Sequence, residues 1–161
     1  MTLAILCLLL AQSPWDLAKG AAGTAATKKL ETEVNKRLLD EGRKNQCTFK
    51  TDSDEFEKSC EKKLRNVANA LIAAKKRLNG AGVQSFKFEV SGHTDSSGNE
   101  AHNVELSKKR AAVIEKELVA KGIPKEQITS VGKGSSERIV KPDDTPAKKA
   151  KNRRYEVRVR L

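Results

Sequence analysis

Aromatic residues are scarce: four Phe, one Tyr and one Trp make up 4% of the 161 residues. A surface that stacks unpaired bases needs several aromatic rings, so this composition argues against that mode of nucleic-acid binding. Histidine occurs twice. His93, Asp95 and His102 lack a fourth donor at a familiar ligand spacing, which leaves no metal site in the sequence. His93 reads instead as a satisfied loop histidine and His102 as an exposed helix residue. There is no nucleophile elbow and no Ser-His-Asp order, and Gly132-Lys133-Gly134 is too short to cradle a phosphate. The expectation is a protein that is not an enzyme and takes no cofactor. No apolar run approaches the roughly 20 residues a spanning helix needs. The longest, Leu3–Ala11, has nine.

Acid is also in deficit. Asp and Glu number 21 against 32 Lys and Arg, a net charge of +11. Such an excess attracts polyanions, but charge alone does not choose among nucleic acid, anionic lipid and an anionic wall polymer.

The chain opens like an export signal, with small residues at Ala11 and Ser13 after the apolar run. Ile5-Leu6, rather than small residues, precede Cys7, which speaks against lipidation there. The expected organisation is a signal-like segment and tether over 1–23, a charged helix or linker over 24–45, and a domain over 46–161. The Ala/Gly/Thr-rich stretch Ala18–Thr27 reads as a flexible tether. In Lys28–Lys44, Leu30, Val34 and Leu38 form a narrow stripe that suits packing on the domain, a second copy or an envelope-protein partner.

Within 46–161 the spacing predicts a strand at Cys47–Lys50, capping by Thr51–Asp54, and a helix carrying Phe56, Cys60, Leu64, Val67, Ala68, Leu71 and Leu78. Phe86, Phe88 and Val90 then alternate with polar residues. A helix follows from Asn99 to about Lys121, then a brief strand at Ile128–Val131 and a polar loop to Lys151. A last strand has Tyr155, Val157, Val159 and Leu161 on one face. The order β-α-β-α-β-β places the chain in the α+β class, with two helices packed on one face of a small mixed sheet. Cys47 and Cys60 both point inward in this reading. In an oxidising compartment they pair; otherwise they are two buried thiols.

At about 100° per residue, Asn103, Leu106, Arg110, Val113, Ile114 and Glu117 share one side of the Asn99–Lys121 helix. Arg110 therefore projects from an apolar face. A cation there needs an acid or a bound anion, because an unpaired buried charge costs several kcal/mol. Asp95, on the preceding strand-to-helix loop, is the nearest acid along the chain that could reach it.

Gly92-His93-Thr94-Asp95, then Asn103 with Leu106-Ser107 and Arg110-Ala111, then Asn152-Arg153-Arg154 ahead of the last strand, resemble the OmpA-like peptidoglycan-binding domain over 46–161. The resemblance implies an OmpA-like β-α-β-α-β-β sandwich and a non-covalent binder of peptidoglycan in the periplasm, cell-wall associated, at or near the outer membrane. It implies diaminopimelate of the peptide stem as the ligand, held by Asp95 and Arg110. Thr94 and Asn103 then serve as supporting partners, and Arg153 lines the same pocket. Backbone N–H groups near Asn99–Ala101 would face the ligand carboxylate. The chemistry is consistent: one end of diaminopimelate bears an ammonium, which Asp95 can accept, and a carboxylate, which an Arg110 fork can grip. The alternative is a basic electrostatic module for nucleic acid or another polyanion, built on Lys148, Lys149, Lys151, Arg153 and Arg154. Export would separate such a module from nucleic acid, so no nucleic-acid partner is expected.

Overall fold

The computed structural model describes residues 14–50 and 52–161. Leu3–Ala11, with the export and lipidation readings placed on it, lies outside the described residues, as does Thr51.

Three strands form one mixed sheet in the order β2-β1-β3: β1 Lys87–His93, β2 Ile128–Gly132 and β3 Arg154–Arg160. β1 runs parallel to β2, with Phe88 opposite Ile128, and antiparallel to β3, with Val90 opposite Val157. The helices are α1 Pro14–Lys44, α2 Glu61–Gly80, α3 Glu100–Ala120 and a short α4 Pro146–Asn152. Phe88, Val90, Ile128, Tyr155, Val157 and Val159 of the sheet are buried in one core with Leu64, Leu71 and Leu78 of α2 and Ile114 and Leu118 of α3. Removing each such large side chain from water is worth about 1.5–3 kcal/mol. The helix-on-sheet α+β class expected from the alternation of periods is the one observed.

Two segments differ from expectation. Cys47–Lys50 is no strand of the sheet. Its backbone folds back on the residues that follow, with a lone bridge between Phe49 and Phe56 and hydrogen bonds Lys50 N–H to Glu55 O (2.9 Å) and Glu57 N–H to Thr48 O (3.0 Å). The place beside β3 is held by α1. The Asn35 amide donates to Val159 O (3.1 Å) and accepts from Val159 N–H (2.7 Å). Just past the helix, the Gln46 amide does the same for Tyr155, at 2.9 and 3.1 Å. Two side-chain amides thus close the edge that would otherwise present free N–H and C=O groups. Phe56 accordingly lies outside α2, and Cys60 sits at its N-cap without a side-chain cap.

Ala18–Thr27 is not a tether but continues α1. Alanine is the strongest helix former, and the Thr27 hydroxyl returns to Gly23 O at 2.8 Å within the same helix. Val34 and Leu38 are in the core, with Leu30 packed against it. The Leu30-Val34-Leu38 stripe therefore packs on this domain, which leaves it closed to a partner.

α3 lies close over β1 and β2 because two strand positions have no side chain. A Cβ at Gly92 would overlap the Ser107 carbonyl, and one at Gly132 the Val104 carbonyl. The buried side of α3 is Asn103, Ser107, Arg110, Ala111, Ile114, Glu115 and Leu118. Leu106, Val113 and Glu117, expected on the same side, are only half-buried. The polar stretch after β2 contains α4, whose start carries a legible signal: Thr145 as N-cap, accepting from Lys148 N–H, and Pro146 in the first turn.

Candidate functional site

β1 delivers His93, Thr94 and Asp95 to one end of the sheet, and the first turns of α3 bring Asn103 and Arg110 alongside. The stretch after α4 adds Arg153. All of these line one cavity of about 570 Å3, whose opposite wall is Thr48–Lys50 with Asp52 and Glu57. The five residues expected at the site, Asp95, Arg110, Thr94, Asn103 and Arg153, therefore meet around a single concavity.

Asp95 and Arg110 do not pair with each other, contrary to the expectation built on their proximity in sequence. The Asp95 carboxylate accepts from Arg153 Nη1 (2.8 Å) through Oδ2 and from Ser97 N–H (2.8 Å) through Oδ1. Burial pushes this carboxyl up, but the hydrogen bonds from Arg153 and Ser97 outweigh it and hold it below the usual carboxylate range. Asp95 is anionic at neutral pH. Its partner Arg153 is 45% exposed, so water screens the arginine end of the pair and can take its place.

Arg110 is buried and makes no ion pair among the described residues. Its Nε donates to Ser53 O (2.9 Å) and its Nη2 to Lys50 O (3.2 Å), while the guanidinium carbon sits 5.1 Å from the centre of the Phe49 ring. The buried cation is thus satisfied by two carbonyls and an aromatic face rather than by an acid. These carbonyls lie 57 and 60 residues away along the chain, Ser53 in the stretch read as helix capping and Lys50 in the segment read as a strand, so helical periodicity does not point to them.

Asn103 Nδ2 donates to Ser97 O (2.9 Å) and so fixes the loop that carries Asp95. Thr94 is held by its backbone, N–H to Gly134 O (2.9 Å), while its buried hydroxyl has no hydrogen-bond partner among the described residues. The N–H groups of Ala101 and His102 are not open to a ligand: the N-cap Asn99 Oδ1 accepts from both, at 2.8 and 3.4 Å.

His93 is no loop histidine. It is buried at the end of β1, with Nε2 3.2 Å from Ser91 Oγ and Nδ1 unpartnered among the described residues. Burial, aided by the Arg154 cation, pulls its pKa down to about 4. His102 is exposed as expected, but its Nε2 lies 2.6 Å from Asp52 Oδ1 across the cavity mouth.

Behind the acid stands a scaffold that the sequence did not reveal. Buried Asp143 accepts from the Ser96 hydroxyl (2.6 Å) and Ser96 N–H (2.9 Å). Those bonds and the Asn152 amide, against the opposing effect of burial, hold its carboxyl far below the ordinary range. Asn152 is fully buried and makes four hydrogen bonds: Oδ1 accepts from Ile139 N–H and Val140 N–H, and Nδ2 donates to Val140 O and Asp143 Oδ2. This network fixes the residue next to Asp95 and the segment that delivers Arg153.

Residues 48–153 match the OmpA family profile. The chain belongs to the OmpA family. The resemblance first seen in three short motifs thus extends through the domain. The chain is 46% identical over 71 residues to outer membrane porin F of Pseudomonas fluorescens, a stretch covering 44% of this chain and 22% of the porin. It is 41% identical over 71 residues to the peptidoglycan-binding protein ArfA of Mycobacterium tuberculosis, again 44% of this chain and 22% of the relative. The chain thus spans about a fifth of the length of these curated relatives. Among solved structures, the peptidoglycan-associated lipoprotein of Burkholderia pseudomallei superposes with a TM-score of 0.58 at 22% identity, covering 73% of this chain and 92% of that one. The periplasmic domain of Helicobacter pylori MotB gives 0.57 at 22% identity, covering 70% and 69%. These two similarities speak to the fold of this OmpA family member. No helix among its described residues is long and apolar enough to cross a membrane.

Proposed function

We propose that this OmpA family domain binds peptidoglycan non-covalently, taking the side-chain terminus of diaminopimelate into the cavity between Asp95 and Arg110, and so attaches its chain to the cell wall in the periplasm. The observation that carries this reading is that the acid and the base share one cavity without neutralising each other. Asp95 has lone pairs left for an ammonium, and Arg153 is exposed enough to yield to it. Arg110 retains three N–H donors for a carboxylate. Thr94, whose buried hydroxyl has no partner among the described residues, and Asn103 complete the lining. The names of two similar proteins, a peptidoglycan-binding protein and a peptidoglycan-associated lipoprotein, support the same ligand class. The reading assigns the domain a binding role and no catalytic residue.

Co-sedimentation with purified sacculi tests it. Asp95→Ala and Arg110→Ala, checked for native circular dichroism, are expected to remain in the supernatant while the parent protein pellets. Two folded variants that pellet like the parent would refute the site. The net charge of +11 favours a second reading, polyanion attraction. That reading predicts equal binding to wall fragments and to DNA of matched charge, with the same salt dependence.

A further inference from the structure

The hairpin closed by the Cys47–Cys60 disulfide (sulfur atoms bonded, Cα atoms 5.8 Å apart) forms the cavity wall that faces Arg110. Its contacts with that arginine are specific in direction. A guanidinium has two edges that can each meet a carboxylate: a side edge, made by Nε–H and one N–H of Nη2, and an end edge, made by one N–H on each terminal nitrogen. The Ser53 and Lys50 carbonyls occupy the side edge. The Phe49 ring lies against the flat face, backed by Phe56 at 5.0 Å between ring centres. The end edge is left over. The hairpin also reaches α3 at the cavity mouth through Asp52 and His102.

We infer that this disulfide-closed hairpin is a positioning clamp: Phe49 and the carbonyls of Lys50 and Ser53 lock the Arg110 plane so that only its end edge meets a ligand, which makes the site selective for a carboxylate over the corresponding amide. The inference rests on the wall-binding reading and adds to it the element that sets selectivity. Three constraints act on one planar group, two hydrogen bonds within its plane and one ring beneath it, so its orientation is fixed before a ligand arrives. Such preorganisation spares the rotamer entropy of a long side chain on binding. A free arginine could turn either edge, or a single N–H, toward a carbonyl and would accept an amide more readily. Phe49 touches Arg110 rather than the ligand head group in this scheme, so it is a positioning residue. The disulfide holds the two ends of the hairpin together at the base of α2.

The test compares two probes on the full chain: a diaminopimelate-containing stem peptide, and the same peptide with its side-chain terminal carboxylate converted to a carboxamide. The parent protein is expected to prefer the carboxylate form. Phe49→Leu is expected to reduce that preference about fivefold, chiefly through weaker carboxylate binding, while amide binding stays within about twofold. Phe49→Tyr, which keeps the ring, is expected to restore the preference. The double variant Cys47→Ser with Cys60→Ser is expected to behave like Phe49→Leu. If it melts, the Phe49 pair, which keeps the disulfide, decides. An unchanged preference in Phe49→Leu, or equal loss of both probes as a merely structural role would give, overturns the clamp while leaving the site intact. Failure of the parent to bind either probe overturns wall recognition, and the clamp with it, before any variant is made.

Discussion

Replacing Asn152 by alanine is expected to cost this domain about 4 kcal/mol of folding stability, more than any ligand-contacting substitution. The residue is fully buried and satisfies four groups with one amide, at 2.9 and 3.1 Å through Oδ1 and at 3.0 Å twice through Nδ2. Alanine removes all four bonds, strands two N–H groups and one carbonyl, and leaves Asp143 Oδ2 with the Ser96 N–H. At about 1 kcal/mol for each bond, with unsatisfied groups pushing the figure upward, the sum is a large share of the roughly 5–15 kcal/mol that holds a domain together. Equilibrium urea unfolding followed by circular dichroism reads it directly. With a slope near 2 kcal/mol/M, the midpoint falls by roughly 2 M while the slope is unchanged. Asn152→Asp is expected to be worse at neutral pH, since it places a second carboxylate against Asp143 and the Val140 carbonyl, and to recover partly in acid as one carboxyl is protonated. A midpoint shift worth less than about 1 kcal/mol for Asn152→Ala would refute the assignment of this residue as the hub behind the site.

Stability should also fall on the acid side before any carboxylate titrates. His93 has a folded pKa of about 4 against 6.5 unfolded, so the unfolded chain takes up the proton first. The contribution is complete above pH 6.5 and is lost as pH drops toward 4, up to about 3 kcal/mol. In His93→Asn that limb of the curve flattens, and an identical limb in the variant would show that another group is responsible. Gly92→Ala is expected to destabilise by about 2 kcal/mol or more, because the new Cβ meets the backbone carbonyl of Ser107, which no rotamer can move. Gly80→Ala, with nothing within 4 Å of its Cβ, is the control and should be neutral or slightly stabilising by thermal melting; equal losses at both positions would contradict the close approach of α3 to β1.

Elements with a clean period were legible in the sequence. The alternation through Tyr155, Val157 and Val159 gave β3, and Leu64, Val67, Leu71 and Leu78 gave the inner face of α2, because local pattern and burial agree there. That Thr94, Asp95, Asn103, Arg110 and Arg153 lie near one another was legible, since motif spacing carries the positions that one cavity brings together. Their partners were not. Helical periodicity put Arg110 on the inner face, but it is silent on what lies opposite, and Asp95, the acid expected to meet it, proved to belong to Arg153. Cys47–Lys50 has strand-like alternation and still pairs with its own neighbours, because Asn35 and Gln46 already close the edge of β3. Asn152 stood out only as the first residue of a motif and Asp143 not at all; both act through bonds formed once the chain is folded, so their role as a hub was not legible. For α4 the signal was present in Thr145-Pro146 but was outweighed by the polar composition around it.

The most direct measurement is a calorimetric titration of the folded protein with a diaminopimelate-containing stem peptide against its lysine-containing counterpart, which lacks the terminal carboxylate. Recognition by Asp95 and Arg110 together predicts that the diaminopimelate form binds at least about tenfold tighter, and that Arg110→Ala abolishes the difference. Equal affinity for the two peptides, or a difference that survives the loss of Arg110, would contradict it.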